Sequence, residues 1–176
     1  MSAYTLFSTA LGSCAVAWGP NGIVGVQLPE TNPSATLARL LRKLGGSASH
    51  GPPTAPVQQA IDDIVALLAG EPRDLRAVRL DMDQLPAFFR EVYAVVRQIL
   101  PGQTLSYGEV AARCGDRGAA RAVGQAMARN PFPIIVPCHR VLAAHGKSGG
   151  FSANGGVDTK MRLLAIEGAG NLSLPW

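Results

Sequence analysis

Cys138 and His139 are neighbours in the stretch Asn130-Pro131-Phe132-Pro133-Ile134-Ile135-Val136-Pro137-Cys138-His139-Arg140-Val141. Three prolines bracket its β-branched apolar run, so the segment reads as rigid and buried, with the Cys-His pair at its end. Cysteine is the strongest side-chain nucleophile at neutral pH, but only as thiolate, so a base or cation must lower its pKa. Neighbours in an extended chain point to opposite sides. A direct Cys138–His139 contact therefore needs a bend; otherwise the proton must travel through a water. Glu167, in Ala165-Ile166-Glu167-Gly168, is the candidate carboxylate to orient the imidazole. The plain alternatives are a buried structural thiol and a hydrogen-bonded core histidine; Cys14 and Cys114 are read as structural.

A second informative stretch is Ala119-Ala120-Arg121-Ala122-Val123-Gly124-Gln125-Ala126-Met127-Ala128-Arg129. At helical spacing it makes a slim helix, able to approach a neighbouring helix or a narrow groove closely. The minor groove of B-DNA is only ~6 Å wide. Arg121, among small residues, could project into a base stack or pair with phosphate. The alternative is tight packing in a core, with Arg121 turned to solvent. The glycine-rich run Gly149-Gly150-Phe151-Ser152-Ala153-Asn154-Gly155-Gly156 would let backbone approach a ligand, but it lacks the Gly-Lys-Ser/Thr of a phosphate loop.

These residues need elements to hold them. Phe88 to Leu100 reads as an amphipathic helix with Phe89, Val92, Val96 and Ile99 as its stripe, closed by Pro101-Gly102. Ser106 and Glu109 have the spacing of a capping box for a helix running to Cys114. Gly115-Asp116-Arg117-Gly118 breaks that helix before the Ala/Gly-rich one, which is a helix-turn-helix signature. Lys160 to Leu164 returns to helix. Before Pro86 the pattern differs. Ser13–Trp18 and Gly22–Leu28, around Gly19-Pro20-Asn21-Gly22, suggest a hairpin. Helices are expected over 34–44 and from Val57 to Leu68, a loop from Gly45 to Pro56, and a further strand over Arg76 to Leu80. The boundary falls near residues 81–86, giving an α/β subdomain over 1–85 and a mostly helical one over 86–176.

The 176 residues are enough for a core without staples, since a chain of this size buries about 70% of its unfolded surface. With 47% apolar and 16% charged residues, disorder across the chain is excluded. No run approaches the ~20 apolar residues of a membrane span. The opening residues carry no basic segment before their apolar stretch, which argues against a secretory signal, so a soluble cytoplasmic protein is expected. Three scattered cysteines give no disulfide framework, and with three scattered histidines they give no zinc spacing, so no metal is expected. The net charge of +4 is uneven: residues 1–85 hold 6 Lys+Arg against 7 Asp+Glu, and residues 86–176 hold 10 against 5. A polyanionic partner for the second half fits that imbalance, as does an ordinary basic surface.

The blocks Ser106-Tyr107, Arg121-Ala122-Val123-Gly124, Asn130-Pro131, Pro137-Cys138-His139-Arg140-Val141, Gly149-Gly150-Phe151-Ser152 and Glu167-Gly168 together resemble the O6-alkylguanine-DNA alkyltransferases, also called methylated-DNA–protein-cysteine methyltransferases. The likeness spans about residues 86–170, with the blocks in order. It implies a ribonuclease H-like N-terminal part. It also implies irreversible, single-turnover transfer of an alkyl group from guanine O6, or thymine O4, to Cys138 in double-stranded DNA after base flipping, by a monomer without cofactor. By the same resemblance His139 acts through a water, Glu167 holds His139, and Asn130 braces the cysteine segment. Tyr107, Arg121, Ala122, Gly124 and Ala126 meet DNA in the minor groove, with Arg121 filling the stack. Tyr107, Pro133, Val141, Phe151 and Ser152 line the base pocket. Phe151 stands where many relatives carry Tyr. The rival readings are a damage sensor that binds without transferring, a cysteine hydrolase, and a helix-turn-helix regulator of the major groove.

Overall fold

The computed structural model describes residues 2–143 and 156–169. The chain divides into two compact units, residues 1–84 with 131–133, and residues 85–130 with 134–176. The short excursion of 131–133 into the first unit interrupts the second just before the segment that carries Cys138 and His139.

The first unit holds a four-stranded sheet in the order β3-β2-β1-β4. Strands β1 (Ser2–Thr9), β2 (Gly12–Gly19) and β3 (Gly22–Gln27) form an antiparallel meander, and β4 (Ala48–His50) joins β1 in parallel. The expected hairpin is β2–β3. Two strands depart from expectation: β1 lies where no strand was expected, and β4 lies inside the expected loop. The expected strand at Arg76 to Leu80 reduces to a single parallel bridge between Leu80 and Ile23, in which Ile23 N donates to Arg79 O at 3.0 Å and Asp81 N donates to Ile23 O at 2.8 Å. Helix α1 (Pro33–Lys43) starts on Asn32, whose Oδ1 accepts from Ala35 N at 2.8 Å. Leu40 packs on Ala15 and Ala17, while α2 (Ala55–Leu68) buries Val57, Ile61 and Ile64. Cys14 to Ala17 are buried without interruption, as a central strand covered on both faces requires. Pro131 belongs here because its carbonyl accepts from Val26 N at 2.9 Å.

The second unit contains α3 (Ala87–Val96), α4 (Tyr107–Arg113), α5 (Ala120–Ala128) and α6 (Val157–Ile166). The α3 stripe buries Val92, Tyr93 and Val96, with Ile99 in the following turn; Phe89 is only half-buried. Tyr93 Oη donates to Ala126 O at 2.7 Å, fixing α3 to α5 by a buried hydrogen bond. Ser106 caps α4 by accepting from Glu109 N at 3.0 Å. A 3₁₀ turn over Arg117–Ala119 joins α4 to α5, completing the helix-turn-helix. Two-residue strands β5 (Leu105–Ser106) and β6 (Val141–Leu142) pair in parallel. Their pairing ties the start of α4 to the residues that follow Cys138-His139-Arg140.

Candidate active site and nucleic-acid face

The segment that carries Cys138 is shaped by its own backbone. Ile134 has φ of 75°, a left-handed corner rarely adopted by a β-branched residue. Asn130 Nδ2 donates to Val136 O at 2.8 Å, closing the loop across six residues. Residues Cys138–Arg140 then form one 3₁₀ turn, with Arg140 N donating to Pro137 O at 2.9 Å. That turn is the bend an extended Cys-His pair lacks. It distributes three successive side chains around its axis while all three stay buried.

His139 Nε2 lies 2.8 Å from Glu167 Oε1, at the C-terminal end of α6. Arg140 donates to the same carboxylate, from Nε to Oε1 at 2.9 Å and from Nη2 to Oε2. Burial disfavours the Glu167 charge, but hydrogen bonds from Arg140 and His139, helped by their charges, overturn this and hold its pKa at about 2. An ionised carboxylate can only accept, so Nε2 carries the imidazole proton and Nδ1 keeps its lone pair. Nδ1 is buried and has no hydrogen-bond partner among the described residues. Burial lowers the His139 pKa, as do the charges of Arg140 and Lys160, with Glu167 opposing them. Burial raises the Cys138 pKa against a hydrogen bond from Asn130, the charge of Lys160 and nearby backbone groups. The resting pair is thus neutral thiol and neutral imidazole, surrounded by groups that favour the thiolate once the proton leaves.

Lys160, expected only as part of a helix, is fully buried. Its Nζ donates to Val141 O at 2.7 Å and lies 5.8 Å from the centre of the Tyr107 ring. Burial lowers its pKa to about 8, while Cys138 pulls the other way. Tyr107, at the first turn of α4, is held protonated: burial raises its pKa and the Cys138 charge adds to this. No sequence signal marked Lys160, because a lysine three positions into a helix pattern ordinarily lies on the surface.

On α5, Arg121, Gln125 and Arg129 are exposed and Ala122 and Gly124 are half-buried. A Cβ placed on Gly124 would meet nothing within 4 Å, so no packing within the protein demands glycine there. Ala126 departs from expectation. It is buried with Val123 and Met127 on the inward face, its carbonyl taken by Tyr93, so it does not belong to the open face. Pro133 lies in the stretch 131–133 that packs with the first unit. Phe151 and Ser152 lie outside the described residues. No group of three or more His, Cys, Asp or Glu among the described residues could hold a metal. Cys14 is buried, which raises its pKa to about 11 and leaves it inert.

A buried cysteine next to a hydrogen-bonded His139–Glu167 pair, in the same unit as a helix-turn-helix with a slim second helix, points to a class: DNA-binding proteins that carry a buried cysteine beside a histidine. Comparison with known proteins narrows it. Residues 87–169 match the family model described as 6-O-methylguanine DNA methyltransferase, DNA binding domain. The methylated-DNA–protein-cysteine methyltransferase of Methanothermobacter thermautotrophicus is 38% identical over 153 residues, covering 87% of this chain and 78% of the relative. The protein of that name from Mycobacterium leprae is 41% identical over 116 residues, covering 66% of this chain and 68% of the relative. The crystal structure of Mycobacterium tuberculosis OGT in complex with DNA is 32% identical, with a TM-score of 0.74 covering 94% of this chain and 93% of that one. The chain belongs to the methylated-DNA–protein-cysteine methyltransferase family.

Proposed function

We propose that this protein repairs O6-alkylguanine, and O4-alkylthymine, in double-stranded DNA by moving the alkyl group onto Cys138. The observation that carries the reading is the buried Cys138-His139-Glu167 arrangement in the same unit as the helix-turn-helix. O6 is hidden in a duplex, so the nucleotide must be flipped out at a cost of a few kcal/mol. The open face of α5 at Arg121, Ala122 and Gly124 enters the minor groove, and Arg121 fills the gap in the stack. Binding tolerates any sequence because phosphates and groove shape supply the affinity.

With the base in place, the Cys138 proton passes through a water to His139 Nδ1. A sulfur–carbon bond forms as the carbon–O6 bond breaks, and the departing electron pair goes to the guanine, which the Tyr107 hydroxyl meets as hydrogen-bond donor. Asn130 and Lys160 favour the thiolate through a hydrogen bond and a charge. Val141, Phe151 and Ser152 hold the base. The product is a thioether, a far poorer leaving group than an acyl thioester, so each molecule acts once. The protein acts as a cytoplasmic monomer; no described helix is long and apolar enough to cross a membrane.

Intact-protein mass after incubation with an O6-methylguanine duplex tests this. The expected result is a gain of one CH2 per molecule, saturating at one, requiring both the lesion and Cys138, and absent in Cys138→Ala. Lesion binding with no adduct would establish the sensor instead. Repeated turnover without DNA would establish the hydrolase.

A further inference from the structure

We infer that Arg140 is a positioning residue of the transfer reaction: it locks the carboxylate that orients His139 and sets how readily that imidazole is lost to protonation. The inference rests on the function proposed above. Its basis is the geometry of one guanidinium. Nε and Nη2 fork onto both oxygens of Glu167, and Nη1 donates to Ile99 O in the turn after α3. Arg140 thereby joins the nucleophile turn, the end of α6 and the end of α3 while remaining buried. A planar fork on a carboxylate fixes orientation as well as charge, which a lysine cannot reproduce.

Two consequences follow for His139. Glu167 Oε1 accepts from both Nε2 of His139 and Nε of Arg140, so the carboxylate is held in the imidazole plane's reach by a second donor. The arginine charge also offsets that of Glu167. His139 therefore faces a neutralised pair instead of a bare anion, and it stays unprotonated with Nδ1 free to accept. The other charged or titratable groups around it are Cys138 on its own turn, Lys160 on α6, and Tyr107 and Tyr93 beside Cys138. None of these touches the Glu167 carboxylate in the described contacts.

The test is the single-turnover rate of methyl transfer from an O6-methylguanine duplex across pH, for the unaltered protein, Arg140→Gln and Arg140→Lys. The ring titration of His139 by NMR is followed in parallel. In Arg140→Gln the acid limb of the rate and the His139 titration both move to higher pH, and the plateau falls roughly 10- to 100-fold. Arg140→Lys keeps the charge and loses the fork, so its limb stays near that of the unaltered protein while its plateau falls. A limb and a His139 titration that do not move in Arg140→Gln would overturn the inference, as would an unaltered plateau in Arg140→Lys. Should Arg140→Gln fail to fold, Arg140→Lys decides alone by its plateau. An unaltered protein that never forms the adduct would sink the proposed function itself. The NMR titration then tests Arg140 without it.

Discussion

His139 Nε2 meets Glu167 Oε1 at 2.8 Å, and this contact assigns the two ends of the imidazole their roles. With Nε2 bound to an ionised carboxylate, Nδ1 is the basic end. Glu167 is expected to govern stability in acid as well as transfer. Its pKa is about 2 in the folded protein against an ordinary 4.5. A lowered pKa adds stability at pH above the unfolded value, and that stability is lost as pH falls from 4.5 towards 2. The contribution is on the order of 3 kcal/mol. Urea unfolding of Glu167→Gln should lack that acid decline, and its methyl transfer should slow. An unchanged decline would place the acid sensitivity in other carboxylates.

Lys160 makes the opposite profile. Its pKa is about 8 against 10.5, so burial of the charged form costs stability fully below pH 8, and the cost fades as pH rises to 10.5. Lys160→Met removes this dependence, and comparing the two pH–stability curves in a Cys138→Ala background separates it from the titration of Cys138, which is coupled to it. The Lys160→Met protein with Cys138 intact should transfer methyl groups more slowly, since the thiolate loses a charge that favours it and Val141 O its donor. Equal stability differences at pH 7 and pH 10 would show that the lysine is not penalised.

The parts of this site that were legible in the sequence are local ones. Pro137-Cys138-His139, the Ser106 cap and the Ala/Gly run of α5 each declare themselves within a few residues. Arg140 and Lys160 did not, because their roles come from partners far along the chain: Glu167 and Ile99 for one, Val141 and Tyr107 for the other. The resemblance implies that Ala126 meets DNA, but small residues on a helix look alike from either side, and the hydrogen bond from Tyr93 to its carbonyl puts it on the inward face. Strand β4 is three residues in a Gly/Ser/Pro-rich stretch, and it exists only because β1 offers an edge. Non-local pairing of that kind leaves no local signature.

Gly124 offers a separation of folding from binding. Glycine inside a helix costs about 0.5–1 kcal/mol relative to alanine, and a Cβ here meets nothing within 4 Å. Gly124→Ala should therefore stabilise the protein by about that amount in urea unfolding while weakening its affinity for duplex DNA. A variant that is stabilised and binds equally well would show that α5 does not approach the duplex closely at this position.

Ile134 tests whether the corner before Cys138 stores strain. Its side chain is buried and its φ is 75°, a conformation costing a non-glycine residue about 1–3 kcal/mol. Truncation to alanine leaves the backbone cost in place and removes buried apolar surface, for a loss of roughly 2–5 kcal/mol. Truncation to glycine removes the same surface but relieves the backbone. Glycine normally destabilises more than alanine, through the entropy of the unfolded chain. At this position the order should reverse, with Ile134→Gly at least as stable as Ile134→Ala. If alanine proves the more stable of the two, the corner is relaxed, and the rigidity of the Cys138 segment comes from its prolines and the Asn130–Val136 hydrogen bond instead.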